Sequence, residues 1–400
     1  DRERGGFYAS QDADYSMDDD GDYFTWTLAE VKAVLTAEEA EVAALHFDIN
    51  EIGEMHHNSA KNVLYVRASL EEIARRLQKS PQAVKELLNS AKKKMYAARL
   101  ERPAPYVDKT VYVGWNGLCI SAYLQAANVL GLPEARRFAL RSLDRVLAEA
   151  WRRERGLLHV VAYSDSDAAR REVRGLLDDY AFTAIACLDA YEVTADLSYF
   201  RFAQSIADAM VEKFFDPVGS GFLDAEAGTA DGGKTLGVLA SRRKPFQDSP
   251  TPAGNSVAAI ALVRLHAYTN DESYRDKAEL TLEVFAGTAE QFGIFGSTYG
   301  IAAVYFSQPH TQVVVIGEGD EAEDLRRAAL GAFTFNKAVI QIAASELVAA
   351  NLPPALAETL PNLPKSRQAC AVICSGGSCQ APVYEAAQLD KLLRATRPAA

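Results

Sequence analysis

Two adjacent carboxylates, Asp178 and Asp179, lie in "GLLDDYAFTA", at the start of a run of small apolar residues. Neighbouring carboxyl groups suit general acid–base chemistry, because each negative charge raises the pKa of the other group. Near the beginning of the chain, "GGFYASQDAD" carries two further acids, Asp12 and Asp14, behind aromatic residues. We therefore predict Asp178, Asp179, Asp12 and Asp14 as candidate catalytic residues.

A second set of residues combines aromatic rings with amides and hydroxyls. Trp115 and Asn116 lie in "VGWNGLCISA", and Asn255 and Ser256 lie in "TPAGNSVAAI". This combination suits a sugar, which stacks an apolar face on a ring and offers hydroxyls at its edge. The candidate substrate-binding residues are Trp115, Asn116, Tyr180, Asn255, Ser256 and Tyr8.

A structural interpretation competes with this one. Asp, Asn and Ser are favoured N-caps, so each of these residues taken singly is explained as a helix cap. The doubled acid at Asp178 and Asp179 exceeds what a cap needs, and aromatic residues lie close to it in the sequence. The two features together favour a binding or catalytic site.

The elements that carry these residues come as pairs of helices. "YEVTADLSYFRFA" at 191–203 aligns with "HAYTNDESYRDKA" at 266–278, at an offset of 75 residues. "VLGLPEARRFA" at 129–139 fits the same frame at an offset of 64 residues. In each pair the first helix is apolar all round and the second is amphipathic, which predicts inner and outer layers of a helical repeat.

The same offsets place Asn116, Tyr180 and Asn255 at one equivalent position, the start of an inner helix. Inner helices of a layered array begin at the same end, so their first turns should meet in one place, here called the mouth. The return loops between helix pairs should line the mouth, and "GGFYASQDAD" resembles such a loop. Asp12 and Asp14 are therefore predicted to face the mouth.

After Ser307 the pattern changes to buried strands and helices. "TQVVVIGE", "KAVIQIAA" and "QACAVICS" have strand patterns, and "EAEDLRRAALGAF" has a helical one. We predict an all-α array over residues 1–306 and a small α/β tail over residues 307–400. No glycine-rich phosphate loop follows a strand in this tail, so a nucleotide fold is not predicted.

Metal and cofactor sites are not predicted. With Gly21 at the sixth position of a calcium loop, the twelfth position would be Thr27 rather than Glu, so the Asp18–Asp22 run is predicted to be a solvated turn. Cys374 and Cys379 lack the CxxC spacing of zinc sites, and Cys119 and Cys187 fit a helical core. His56 and His57 have no carboxylate or Cys at metal spacing, and His159 and His310 are predicted to stand alone, so all four are predicted to be non-ligands.

The composition excludes several classes of partner. The net charge of −12 argues against nucleic acid and against an anionic membrane surface. No apolar run reaches the 18 or so residues of a membrane span. Five cysteines favour a reducing compartment, and we expect a cytoplasmic protein.

Several of these motifs together resemble the spermatogenesis-associated protein 20 family, whose bacterial members are called thioredoxin-domain-containing proteins. The matching stretches are "GGFYASQDAD", "DGDYFTW", "VGWNGLCISA", "GLLDDYAF", "PAGNSVAA" and "CSGGSCQAPV". The resemblance implies a mainly α fold, a partial (α/α)6 toroid of helical hairpins over residues 1–306 followed by the α/β tail. Such toroids are similar to N-acylglucosamine 2-epimerases and six-hairpin glycosidases.

The chain departs from this family at its beginning. The N-terminal thioredoxin-like domain and the first toroid hairpins are expected to be missing from it, so no redox activity is carried over. Gln11 also stands where relatives tend to have an acid.

Two functional interpretations remain open. The first is a carbohydrate-active enzyme with a sugar-like small molecule as ligand, either a hydrolase that uses mouth carboxylates or an isomerase or epimerase. Epimerisation would more naturally use histidine, and none lies in the matching motifs. The second is a non-catalytic binding or scaffold module, because toroids of this kind host many activities.

Overall fold

Residues 1–164, 172–226, 242–334, 336–364, 366 and 368–395 are described by the computed structural model of this chain. The chain forms two units, a smaller one over Ala9–Lys109 and a larger one over Asp1–Tyr8 and Thr110–Ala400. Each unit has hydrophobic clusters of its own. The last residues of two predicted return loops, 165 and 227–228, lie outside the described residues.

The smaller unit is a set of helices closed by a short antiparallel strand pair. Its helices begin at capped positions: Thr27 and Glu30 form a capping box, and Ser69 and Ser80 cap the later helices. The elements are β1 (Ser10–Gln11), α1 (Leu28–Val34), α2 (Ala37–Phe47), α3 (Leu70–Leu77), α4 (Pro81–Leu100) and β2 (Val107–Asp108). β1 pairs with β2, so the chain enters and leaves this unit side by side.

Three helical hairpins build most of the larger unit. They are α5 (Val113–Leu130) with α6 (Pro133–Ala150), α7 (Leu177–Thr194) with α8 (Leu197–Phe214), and α9 (Gly254–Thr269) with α10 (Glu272–Ala286). Short strands lie next to them: β3 (Val111–Tyr112), β4 (Trp151–Arg152), β5 (Gly156–Leu157) and β6 (Val160–Ala162). β3 pairs with β6, and β4 pairs with β5.

Each hairpin turns at an equivalent residue. The inner helices end at Gly131, Ala195 and Asn270, which all have left-handed backbone conformations with φ of 66°, 57° and 59°. Those positions are related by the offsets of 64 and 75 residues. The outer helices α8 and α10 then begin at Asp196 and Asp271, whose side chains accept hydrogen bonds from the backbone N–H groups two residues on. The predicted repeat is therefore present in the backbone.

The inner helices are the buried layer. α7 packs against α5 on one side and α9 on the other, while its own outer partner α8 packs behind it. Both α7 and α9 are buried along nearly their whole length, as their small apolar residues allow. The predicted fold class is confirmed: a mainly α chain whose hairpins form part of an α/α toroid, with a small C-terminal α/β segment.

The α/β segment follows a 3-10 helix at 289–296 and α11 (Ser297–Ser307). It contains β7 (Thr311–Ile316), α12 (Asp320–Gly331), β8 (Lys337–Ile342), α13 (Pro354–Ala357), β9 (Cys370–Ser375), β10 (Ser378–Cys379) and α14 (Ala386–Ala395). The sheet order is β10-β9-β7-β8, with β7 parallel to β8 and antiparallel to β9.

Alternate residues of β7 point to opposite faces of this sheet. Val314 joins the core of the toroid helices, whereas Val313 and Val315 pack with α12 and α14. The boundary predicted between residues 306 and 307 therefore lies inside the larger unit, and the division into two domains stays a prediction. In the described part of the chain, no helix combines the length and apolarity needed to cross a membrane.

The cysteines fall into two groups. Cys374 and Cys379 form a disulfide that closes the β9–β10 hairpin, which the sequence analysis did not predict. Cys187 is buried on α7 and Cys119 is half-buried on α5, as expected for core positions. Cys370 is a buried free thiol.

Candidate functional site

The first turns of the three inner helices meet, as the repeat predicts. The backbone N–H of Gly114, at the start of α5, donates to Asp179 Oδ1 at the start of α7 at 2.8 Å. On the other side of α7, Asp178 Oδ1 lies so close to Gly254 of α9 that a β-carbon there would collide with it. Glycine at position 254 therefore allows Asp178 to occupy its place between the helices.

Two of the predicted binding residues hold return loops. Asn116 accepts a hydrogen bond from Phe7 N–H at 2.7 Å and donates to the Phe7 carbonyl at 3.1 Å. Asn255 does the same for Phe222, at 2.7 Å and 2.9 Å. Both amides also donate to a second carbonyl, that of Tyr112 or Pro245. These bonds occupy both donor hydrogens of each amide.

Tyr180 is the residue equivalent to Asn116 and Asn255, and it holds a return loop through its hydroxyl group. The Tyr180 hydroxyl accepts a hydrogen bond from Leu157 N–H at 2.8 Å. Phe7, Leu157 and Phe222 each follow a glycine with left-handed φ, namely Gly6 at 101°, Gly156 at 85° and Gly221 at 71°. The equivalent position of each repeat thus fixes one return loop to the start of an inner helix. A part in substrate binding stays a prediction for Asn116, Tyr180 and Asn255.

Asp179 is a buried hub of hydrogen bonds. Its side chain is 2% exposed and accepts from three donors, each at 2.8 Å: Gly114 N–H, Leu176 N–H and His159 Nδ1. The first donor belongs to α5, the second to the start of α7 and the third to the return loop after α6. Asp179 therefore ties three elements together and holds the ring of His159 in a fixed orientation.

His159 is the residue that the sequence analysis missed. We expected it to stand alone, and this is wrong, because its ring pairs with Asp179 across 20 residues of sequence. Its side chain is 30% exposed, so the ring is anchored on one side and reaches solvent on another. The hydrogen bond to Asp179 raises the pKa of His159, and the charges of Asp179 and Asp178 add to this against the opposing effect of burial.

Asp178 lies beside this pair in a different environment. Its Oδ1 is buried and has no hydrogen-bond partner within the described ranges. Burial raises the pKa of Asp178 to about 6, with smaller contributions in the same direction from the charges of Asp179 and Asp224. A carboxyl group with few hydrogen bonds and a raised pKa can take up or release a proton near neutral pH.

Aromatic rings lead from solvent to His159. Trp115 is 50% exposed on the first turn of α5, and its ring centroid lies 4.9 Å from that of Tyr112. Tyr112 in turn lies 5.2 Å from the His159 ring. The half-exposed indole provides an apolar face at the outer end of this row of rings.

The remaining candidates are placed as follows. Ser256 is buried on α9, and its Oγ finds no partner among the residues described. Tyr8 is 40% exposed at the edge of the larger unit. Asp12 and Asp14 are exposed and belong to the smaller unit, where Asp14 accepts a hydrogen bond from Gly21 N–H at 2.9 Å. Their predicted position at the mouth stays a prediction.

The Asp18–Asp22 run lies in turns and is largely exposed, as predicted. Its partner was not predicted: His57 Nδ1 lies 2.8 Å from Asp20 Oδ2. Across the described residues, no group of three or more His, Cys, Asp or Glu side chains is arranged to hold a metal ion.

The amino-acid sequence is similar to those of several known proteins. Human spermatogenesis-associated protein 20 is 29% identical over 420 residues, which cover 97% of this chain and 52% of that protein. The resemblance to the spermatogenesis-associated protein 20 family is confirmed. Uncharacterized protein B0495.5 of Caenorhabditis elegans is 26% identical over 416 residues, with coverages of 97% and 54%. The chain thus spans about half the length of these curated relatives.

No family model matches the sequence. Among solved structures, a family 76 glycoside hydrolase from a bovine Bacteroides thetaiotaomicron strain superposes with a TM-score of 0.38 and 11% identity, over 98% of this chain and 72% of that one.

A signal for His159 was present in the sequence. It stands three residues after Gly156 in the turn "RGLLHV", and Asp224 stands three residues after Gly221 in the equivalent turn "SGFLDA". Aligning the return loops as well as the helices would have shown two polar residues at one position of the repeat, next to the helix starts.

Proposed function

We propose that the mouth of the larger unit is a carbohydrate-active acid–base site of the isomerase or epimerase type. The observation that carries this proposal is the His159–Asp179 hydrogen bond of 2.8 Å beside the partly buried carboxyl of Asp178. Asp178 and His159 would exchange protons with the substrate. Trp115 would stack against the apolar face of a sugar.

The protonation states support a division of roles. Near neutral pH the carboxyl of Asp178, with a pKa of about 6, is mostly ionised and can act as a base. The hydrogen bond to Asp179 raises the pKa of His159, which favours the protonated ring that can act as an acid. Because Nδ1 bonds to Asp179, Nε2 is the ring atom that would exchange a proton with the substrate.

The reaction follows from one base and one acid. Asp178 removes the proton from the carbon next to the sugar carbonyl, and that electron pair forms a carbon–carbon double bond. The carbonyl electrons move to oxygen, which takes a proton from His159, and an enediol results. Asp178 then returns its proton to the neighbouring carbon, which gives the isomeric sugar, or the same carbon is protonated on its opposite face, which gives the epimer. In either case the enediol hydroxyl that becomes the new carbonyl returns a proton to His159. No oxidant or reductant is consumed.

Hydrolysis by the Asp178–Asp179 pair is less well supported. Glycoside hydrolysis needs two carboxyl groups that both reach the scissile bond or its water. Asp179 is 2% exposed, and three donors already occupy its oxygens. A hydrolase would therefore need its second carboxylate from elsewhere, and Asp12 and Asp14 remain the candidates for it.

The test is deuterium exchange. The protein is incubated in deuterated water with a panel of aldoses and ketoses, and NMR follows deuterium incorporation next to the carbonyl. We expect exchange with at least one sugar, and a loss of about 10²-fold or more in Asp178→Asn and His159→Gln. Asp196→Asn is the matched control, because it replaces an exposed cap on α8 with a residue that caps equally well.

Two results would contradict the proposal. If a sugar binds without any exchange, the mouth is a binding module and the scaffold interpretation is preferred. If oligosaccharides are cleaved while monosaccharides exchange no deuterium, the site is a hydrolase.

A further inference from the structure

The disulfide between Cys374 and Cys379 lines a cavity at the opposite end of the inner helices from the mouth. This cavity has a volume of about 540 Å³, and its wall is formed by the last turns of α9, the start of α10, the segment after α11 and the β9–β10 hairpin. His266 belongs to the wall, whereas the mouth residue Asn255 is on the first turn of the same helix. The two residues are about 16 Å apart along the helix axis, so the cavity is separate from the mouth.

The β9–β10 hairpin does not depend on this disulfide for its shape. Gly376 and Gly377 form its two-residue turn, with left-handed φ of 58° and 75°, as a type I′ hairpin turn requires. β9 also pairs with β7 along its whole length, from Cys370 to Ser375. The cross-link joins cysteines only 5 residues apart, and the entropic gain from a cross-link is smallest for short loops. The pair of cysteines therefore calls for a chemical explanation.

The two cysteines differ in exposure. Cys374 is 8% exposed in the central strand β9, whereas Cys379 is half-buried in β10, at the edge of the sheet. Both residues belong to the cavity wall. Access to the sulfur is one of the factors that set the rate of thiol–disulfide exchange. A thiolate that enters the cavity would therefore attack Cys379 in preference to Cys374.

Charged groups of the cavity wall determine which thiols fit. Arg275 lies over the Phe306 ring at 4.4 Å, and no carboxylate of the described residues is within ion-pair distance of its guanidinium. Glu358 is exposed directly after α13 and also has no ion-pair partner in the described ranges. His266 and Glu272 pair with each other at 3.3 Å. Arg275 and Glu358 thus offer one positive and one negative charge to a ligand, which suits a zwitterion.

We infer that Cys374 and Cys379 form a redox-active pair that exchanges with a small zwitterionic thiol of the glutathione type bound in this cavity. A carboxylate of the thiol faces Arg275, and its ammonium group faces Glu358. The cavity volume is within the range of roughly 300–1,000 Å³ that small-molecule sites occupy. The inference does not depend on the reaction proposed for the mouth, because none of these residues takes part in that chemistry.

The exchange proceeds in two steps. The bound thiol loses its proton to solvent, its thiolate attacks the sulfur of Cys379 to form a mixed disulfide, and Cys374 leaves as a thiolate that takes up a proton. A second thiolate then attacks the ligand sulfur of the mixed disulfide, and Cys379 leaves as a thiolate that takes up a proton in turn. The protein disulfide gains two electrons and two protons, and two molecules of the thiol are oxidised to one disulfide.

The experiment measures how fast two thiols reduce the folded protein. The chain, purified without reductant, is incubated with glutathione or with the uncharged thiol 2-mercaptoethanol, quenched with acid, unfolded and labelled with N-ethylmaleimide. The chain has 5 cysteines, of which Cys119, Cys187 and Cys370 are free. Mass spectrometry therefore counts three labels in the oxidised protein and five in the reduced protein. Circular dichroism checks that the protein stays folded during the reaction.

We expect the reduction rate to saturate with rising glutathione concentration and to rise linearly with 2-mercaptoethanol. Arg275→Gln should slow reduction by glutathione about 5-fold and leave reduction by 2-mercaptoethanol unchanged. Lys277→Gln is the matched control, because it removes the same charge from the same helix at a position outside the cavity wall. In Cys374→Ser, glutathione disulfide should attach one glutathione to Cys379, and in Cys379→Ser it should react much less with Cys374.

Other outcomes overturn the inference. They are five labels before any thiol is added, reduction by glutathione only when the protein unfolds, and a rate that stays linear in glutathione. Equal slowing by Arg275→Gln and Lys277→Gln would also overturn it, because the cavity wall would then have no special part. So would a mixed disulfide that forms on Cys374 in preference to Cys379. None of these results bears on deuterium exchange at the mouth.

Discussion

At the scale of single residues, Asp178 and Asp179 are chemically different despite their adjacency. Asp179 is saturated with donors, whereas Asp178 keeps a buried oxygen without a partner. One residue therefore supports the fold and orients His159, and the other is available for chemistry. A sequence of two aspartates does not reveal this difference, because it arises from Gly114 and Gly254 on the neighbouring helices.

The first prediction concerns stability in Asp178→Asn. The pKa of Asp178 is raised from 3.8 to about 6, so the protonated form favours the folded state. That contribution is fully present below the unfolded pKa and is lost as the pH rises through 6. Asparagine mimics the protonated form, so the variant should be more stable than the parent at pH 8, by about 1–3 kcal/mol. Urea unfolding at several pH values measures the difference.

The pH dependence makes this prediction specific. The gap between Asp178→Asn and the parent should shrink as the pH falls from 6 towards 4. Asp179→Asn is the comparison: it presents an amide nitrogen where donors need an acceptor, and should lose about 1–3 kcal/mol. A variant at position 178 that is less stable than the parent at pH 8 would contradict our view of this carboxyl.

The second prediction concerns the rate of exchange as a function of pH. The profile of kcat/KM should be bell-shaped, rising through about 6 as Asp178 ionises and falling as His159 loses its proton at higher pH. Asp179→Asn removes the main cause of the raised His159 pKa, so the falling limb of the profile should move to lower pH. A profile without a rising limb near pH 6 would show that Asp178 is not the base.

At the scale of helices and loops, the sequence repeat predicts where equivalent residues lie better than it predicts what those residues bind. The offsets of 64 and 75 residues correctly bring Asn116, Tyr180 and Asn255 to equivalent places at the inner-helix starts. All three bind a return loop of their own protein, which helix periodicity could not show. The signal lies in the loops, where a left-handed glycine precedes the residue that is held.

The third prediction tests this loop attachment. Asn255→Ala leaves the Phe222 N–H and the carbonyls of Phe222 and Pro245 without their partner, so it should cost about 2–4 kcal/mol of unfolding free energy. Asp271→Ala removes an exposed cap on α10 and should cost only about 1 kcal/mol. Both are measured by urea unfolding under the same conditions. Equal costs for the two variants would show that the attachment contributes little.

At the scale of the whole molecule, the sequence predicts the hairpins and the α/β segment but not the smaller unit. Its helices α1 to α4 each begin at a Thr or Ser that caps the first turn. Their separation from the larger unit depends on contacts between distant residues, such as Ser10 with Asp108, and local patterns do not report those. The disulfide was missed for a related reason, since its spacing fits no common motif.

The final prediction is that the larger unit folds without residues 9–109. Ala9 N–H donates to the Asp108 carbonyl at 3.1 Å, so the ends of the smaller unit are adjacent and a short glycine–serine linker can join Tyr8 to Thr110. All members of the two hydrophobic clusters of the larger unit lie outside the removed segment. We therefore expect a helix-rich circular-dichroism spectrum and a cooperative thermal transition. A helix-poor or aggregated product would show that the smaller unit is needed for folding.

The same shortened protein tests whether Asp12 and Asp14 take part in catalysis, because both residues are removed with the segment. If either carboxylate contacts the substrate, deuterium exchange should fall by about 10²-fold or more, as for other acid–base groups. Asp12→Asn and Asp14→Asn in the complete chain then identify which one is responsible. If exchange is unchanged, neither Asp12 nor Asp14 belongs to the catalytic site. Asp178 and His159 then account for the chemistry within the larger unit alone.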